Sequence, residues 1–183
     1  MKRLLLPLMM LLLAACASGP RVNTDFNPQA DFNAIKTYRW LAQPQGMSPL
    51  VQGRVMAAVD AQLEARGWQR VESGGDAIVA AGAVIRQQQS IDTFYSAPMY
   101  SGWGRSGPWR GHHSSFGTAT TTVRTFDVGT LVVDIFQAST KQGIWRGTAQ
   151  QTVPNTPERT SAAVEAGVRG MFEGFPPGTM PLN

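Results

Sequence analysis

Residues 130–153 read TLVVDIFQASTKQGIWRGTAQQTV, and this stretch predicts the centre of a β-sheet. The segment 130–136 is apolar on both faces, which is typical of a strand in the middle of a sheet. The segment 144–153 alternates in polarity and places Trp145 on its apolar face. Because 140–143 has the composition of a hairpin turn, we expect the two strands to be antiparallel neighbours.

Three further strands are indicated upstream of this hairpin. The segment 118–126 is rich in β-branched residues but polar, which favours an edge position. The segment 76–85 is apolar on both faces and is expected in the interior of the sheet. A shorter strand is predicted at 36–41, where Trp40 faces the core, and the segment 22–26 is expected to be extended.

Two helices complete the pattern. The first is predicted to begin after Ser48, with Pro49 at the first helical position, and to end near Gly67. The second is predicted to begin after Thr156, and the carboxylate of Glu158 then faces the positive end of the helix dipole. The order of elements predicts an α+β fold, with an antiparallel sheet of about four to five strands and two helices packed on one face.

The segment 92–117 is rich in glycine and aromatic residues and has no helical or strand period, which predicts a long loop. Its Trp103 and Trp109 offer flat apolar faces, and Arg105 and Arg110 add charge and planar donors. Such a mixture is typical of protein interfaces and also suits glycans or lipid headgroups. We interpret these four residues as candidate binding residues. The alternative is that the rings fold back and cover one face of the sheet.

The N-terminus has the pattern of a secretory signal, with two basic residues followed by an apolar run at 4–15. The run is shorter than the roughly 20 residues that a transmembrane helix needs. The residues before Cys16 resemble the lipobox of bacterial lipoproteins. The residues of this lipobox are Leu13, Ala14 and Ala15. The resemblance implies cleavage after residue 15 and a diacylglyceryl lipid, with palmitate-type chains, on Cys16.

Cleavage there removes a signal peptide, 1–15, and leaves a lipidated tether, 16–20, ahead of one domain at 21–177 and a tail at 178–183. Cys16 is the only cysteine, so the exported domain can form no internal disulfide. Two acyl chains anchor a protein stably, whereas one holds it only marginally. By resemblance to Gram-negative lipoproteins, the absence of Asp after the cysteine implies the outer membrane, at its periplasmic face.

Several motifs along the chain together resemble a family of bacterial lipoproteins that carry the domain of unknown function 4136. The resemblance covers about residues 21–177 and implies a small α+β lipoprotein domain with no established activity, cofactor or catalytic residue. The motifs are Asp31-Phe32, Thr37-Tyr38-Arg39-Trp40, Gly129-Thr130-Leu131-Val132-Val133-Asp134, Trp145-Arg146-Gly147 and Phe175-Pro176-Pro177.

No residue pattern points to catalysis. Adjacent side chains such as His112 and His113 point apart in an extended chain, and the sequence offers no cysteine pair to complete a metal site. The sequence has no Gly-x-Ser-x-Gly and no phosphate loop. Asp127 and Asp134 flank a strand boundary and Asp76 opens another strand, so these are candidate paired carboxylates. For Asp134, a hydrogen bond to a strand neighbour or to Arg146 is the favoured interpretation. We therefore predict no enzyme, no metal and no cofactor apart from the lipid.

The predicted partners are a membrane, through the lipid, and an envelope protein or glycan. Without Lys2 and Arg3, the formal charge falls from +4 to +2, and no dense basic stripe remains. A nucleic-acid partner is therefore not expected.

Overall fold

A computed structural model describes residues 19–96 and 118–177. Their secondary structure alternates between strands and two long helices, with one short 3-10 helix at Phe32–Ala34. Strands and helices follow in this order: β1 (Arg21–Phe26), β2 (Thr37–Trp40), α1 (Pro49–Glu64), β3 (Gln69–Arg70), β4 (Ala77–Ser96), β5 (Thr118–Gln137), β6 (Gly143–Thr152) and α2 (Pro157–Phe172).

The sheet has six strands in the order β1-β6-β5-β4-β2-β3. β6 is antiparallel to both β1 and β5, whereas β2 is parallel to both β3 and β4. The α+β class is thus confirmed, but the prediction of an antiparallel sheet with four to five strands was wrong. The reason is that α1 carries the chain back across the sheet after β2, and such a crossover makes the next strands parallel.

β5 joins two segments that the sequence separates. The predicted strands at 118–126 and 130–136 form one continuous strand that runs through Asp127 and Gly129. The pairing with β6 covers only Val128–Phe136, so the polar segment 118–126 lies beyond that register. The contacts divide the chain into two compact units, with 87–127 as the smaller one.

Both helices begin where the sequence predicts. Thr156 caps α2, because its hydroxyl oxygen accepts a hydrogen bond from the backbone N–H of Arg159 at 3.4 Å. Ser48 occupies the corresponding position of α1, but its side chain makes no capping bond. α1 ends at Glu64, and the chain then turns at Gly67, which has a positive φ of 84°.

An aromatic cluster forms the core between the helices and one face of the sheet. The ring of Phe172 in α2 lies 4.8 Å from that of Trp145 in β6 and 5.2 Å from that of Phe175. The ring of Trp68, which follows α1, lies 5.5 Å from that of Phe175. The guanidinium of Arg66 donates to the carbonyls of Phe172 and Phe175. These bonds connect the segment that follows α1 to the C-terminal end of α2 and the residues after it. Trp145 is therefore a core residue, as predicted.

Asp60 connects α1 to β2 through donors on the buried Tyr38 and the partly buried Trp40. One carboxylate oxygen accepts from the hydroxyl of Tyr38 at 2.7 Å and from the indole N–H of Trp40 at 2.8 Å. The other accepts from the guanidinium of Arg70 at 2.9 Å. Burial, followed by the bond to Asp60, raises the pKa of Tyr38 well above its usual range, so the hydroxyl remains a donor.

We expect Asp60→Ala to lower the free energy of unfolding by about 2–3 kcal/mol, because it leaves the donors of Tyr38 and Trp40 without an acceptor. Arg70→Ala is the matched control and should cost less than about 1 kcal/mol, since it removes only a partly exposed ion pair. Urea denaturation of both variants measures the difference. Equal losses would show that the ion pair, rather than the bonds from Tyr38 and Trp40, makes Asp60 important.

Candidate functional site

An apolar cleft of about 380 Å³ lies within the larger unit, between the two helices and the sheet. Its walls come from α1, α2 and the strands β4, β5 and β6. Branched aliphatic side chains line it at Val51, Val55, Ile85, Leu131, Val153 and Val164.

Small residues keep the cleft open. A Cβ on Gly167 of α2 would lie 3.0 Å from the Cβ of Ala149 in β6, so the helix approaches the sheet closely at that point. One turn earlier, Ala163 faces the cleft and leaves space that a longer side chain would fill. Gly129 and Ala83 leave similar space on β5 and β4. The cleft therefore exists because these positions carry no long side chain.

The lining of the cleft is chemically simple. Among the described residues that line it, none is ionisable, and the polar ones are Ser48, Thr130, Gln151 and Thr160. A glycan needs many hydrogen-bond partners, whereas an alkyl chain needs only apolar contact. The lining therefore suits an alkyl chain better than a sugar.

The cleft also lies where the tether meets the domain. Pro20 forms part of its wall, and the exposed Gly19 precedes it. The sequence does not reveal this site, because its residues come from distant segments without a shared motif. The only local signal is the spacing of Ala163 and Gly167, which puts two small residues on one face of α2.

The predicted site residues lie outside the described residues. These are Cys16 with its lipobox Leu13, Ala14 and Ala15, and the loop residues Trp103, Arg105, Trp109 and Arg110. His112 and His113, for which no site was predicted, lie outside as well. The predicted loop itself begins within β4, because 92–96 continues that strand. The predicted tail, 178–183, also lies outside.

Two of the carboxylates that the sequence offered for chemistry, Asp134 and Asp76, have structural partners. Asp134 accepts two hydrogen bonds from the guanidinium of Arg146, at 2.5 and 2.8 Å, which confirms the predicted pair. Asp76 accepts from the backbone N–H groups of Lys36 and Thr37 at 3.0 and 2.9 Å. These bonds lower the pKa of Asp76, the one to Lys36 most. Asp76 is therefore not placed to act as a proton donor at neutral pH.

The smaller unit, 87–127, carries exposed apolar side chains. Ile91, Phe94 and Val123 are all more than half exposed. β4 and β5 are neighbours in the sheet, and the hydroxyl oxygens of Thr93 and Thr121 lie 3.3 Å apart.

Residues 19–96 and 118–177 contain neither a cluster of metal-ligating side chains nor a helix that could span a membrane. No group of three or more His, Cys, Asp or Glu side chains there could hold a metal ion. No helix there combines the length and the hydropathy needed to cross a bilayer.

Comparison with known proteins places the domain in a family. The model of the family described as "Domain of unknown function (DUF4136)" matches residues 22–177. Among curated proteins, none matches this chain.

Solved structures share the fold at low sequence identity. A DUF4136 family protein from Bacteroides thetaiotaomicron is 14% identical, with a TM-score of 0.51, over 86% of this chain and 96% of its own. A PDZ domain protein from Parabacteroides distasonis is 13% identical, with a TM-score of 0.50, over 88% of this chain. This chain covers only 37% of the PDZ domain protein. The likeness concerns the fold alone.

Proposed function

Since the chain belongs to the DUF4136 family of domains of unknown function, we propose that it is a lipid-anchored, non-enzymatic binding protein of the cell envelope. The lipid on Cys16 holds it at the periplasmic face of the outer membrane, and the cleft binds an apolar ligand such as a fatty acyl chain. The anchor is supported by the lipobox pattern before Cys16. The proposal includes no cofactor apart from the lipid on Cys16.

The observation that carries the binding role is the apolar cleft. Its volume of about 380 Å³ lies within the range of about 300–1,000 Å³ that is usual for ligand pockets. Each methylene group that moves from water into such a site contributes about 0.8 kcal/mol. Acid-base or metal chemistry needs ionisable groups that converge on the ligand, and the described lining of the cleft supplies none.

Filling the cleft should weaken binding of a fatty acid. The test protein is the mature chain 16–183 with Cys16→Ser, exported behind a leader that ordinary signal peptidase removes, and titrated with a fluorescent long-chain fatty acid. Ala163→Phe is expected to exclude about two methylene groups, a cost of about 1.6 kcal/mol. This corresponds to about a tenfold loss of affinity or more.

Ala162→Phe is the matched control, because Ala162 is the exposed neighbour of Ala163 on the same helix and does not line the cleft. We expect it to bind the fatty acid as the parent does. Absence of saturable binding, or equal affinities for the two variants, would refute the cleft as the binding site.

A second function, contact with an envelope protein, is favoured by the exposed apolar residues Ile91, Phe94 and Val123. These residues flank the segment that holds Trp103 and Trp109 in the sequence. Deleting residues 95–114 should remove the crosslinked envelope partners that the whole protein captures. An unchanged set of partners would show that this segment is not the contact surface.

A further inference from the structure

We propose that the cleft holds one acyl chain of the lipid that Cys16 of the same molecule carries. The inference rests on the proposed function, because it needs both the anchor and an apolar binding site. This acyl chain would then have two possible positions, in the bilayer or in the cleft of its own domain.

Only a short length of chain separates Cys16 from the cleft wall. Pro20 is part of the cleft wall, and Cys16 precedes it by four residues. Four residues of fully extended chain span at most about 14 Å. The carbon chain on Cys16 therefore starts within reach of the cleft. A ligand from solution must be captured at low concentration, whereas a covalently tethered chain is always present at a high effective concentration.

The side chains that line the cleft suit an alkyl chain. An alkyl chain makes no hydrogen bonds, and the described lining of the cleft offers no ionisable side chain that would remain unpaired beneath it. The aliphatic residues Ile85, Leu131 and Val164 supply contacts from three different elements. The only polar partners on offer are three hydroxyl groups and one amide, which is too few for a headgroup that requires charge compensation.

The volume of the cleft favours one acyl chain over two. A volume of about 380 Å³ lies near the lower end of the usual range for ligand pockets, about 300–1,000 Å³. A diacylglyceryl group carries two long chains, so we assign one of them to the cleft and leave the other for the membrane. Because one chain alone holds a protein only marginally at a bilayer, occupation of the cleft would loosen the anchor. The cleft would then set how firmly the molecule is held.

Photo-crosslinking in living cells tests the inference on the whole lipidated protein. One variant carries p-benzoylphenylalanine in place of Ile85, and its control carries it in place of Val84. The two residues are neighbours in β4 with similar exposed fractions, 57% and 52%. Only Ile85 lines the cleft, because successive side chains of a strand point to opposite faces. A second pair, at Ala163 and Ala162, repeats the comparison on α2.

After irradiation and digestion, mass spectrometry identifies what the probe has captured. We expect the peptide with residue 85 to be joined to the lipidated peptide that begins at Cys16, within a monomer, and the Val84 control to lack this product. Capture of free phospholipid alone would overturn the inference while the apolar binding function stands. Capture of nothing above the control, at both residue 85 and residue 163, would overturn both. Crosslinks between two copies, seen as dimers, would also overturn it.

Discussion

Cys16→Ser is expected to remove the protein from the membrane fraction, or to leave it uncleaved with its leader still attached. The serine hydroxyl cannot form the thioether that carries the lipid. The loss of membrane-binding free energy is large, because each buried methylene group contributes about 0.8 kcal/mol and two chains are needed for stable attachment. Fractionation of cells, followed by a carbonate wash and immunoblotting, measures the change.

Ala17→Ser is the matched control for this experiment. It alters the neighbouring residue but leaves the thiol of Cys16 in place, so this variant should be processed and stay in the membrane fraction. If Cys16→Ser is cleaved at the same site and remains in washed membranes like the control, the protein is held there by something other than a lipid on Cys16.

Phe172→Ala is expected to lower the free energy of unfolding by about 3–5 kcal/mol, the cost of removing a large buried side chain and leaving a cavity. Phe172 has no exposed surface and contacts the rings of Trp145 and Phe175. Its ring also lies 5.7 Å from the guanidinium of Arg66. The substitution therefore removes contacts that join α2 to β6 and to the end of α1. Denaturation in urea, with a fluorescence readout from tryptophan, gives the value.

Phe94→Ala is the control for that loss. Phe94 is 74% exposed, and a substitution at such a position usually changes stability by no more than about 0.5 kcal/mol. A loss below about 1 kcal/mol for Phe172→Ala would show that the aromatic cluster is not the centre of the core.

The sequence predicts the helices well because their signals are local. Thr156 with the following proline fixes the start of α2, and Pro49 fixes the start of α1. The mixed sheet was not predictable in this way. β3 has only two residues, Gln69–Arg70, which is too few to show a period. β5 continues through Asp127 and Gly129, which in the sequence resemble a break between two strands.

The candidate site also has a part that could be predicted from the sequence and a part that could not. The bond between Asp134 and Arg146 could be predicted, because the two residues face each other across β5 and β6 in the hairpin. The cleft could not be predicted, because it depends on the lack of long side chains at Gly129 and Ala163. These two positions lie on elements that are far apart in the sequence. Patterns of apolar residues reveal which side chains are buried, but they do not reveal where packing leaves space.

The central claim is that the molecule is anchored by a lipid on Cys16, and the mass of its N-terminal peptide tests this most directly. We expect protein purified from native membranes to begin at Cys16, with the added mass of a diacylglyceryl group on its sulfur. An N-terminus at any other residue, or an unmodified thiol on Cys16, would contradict the account.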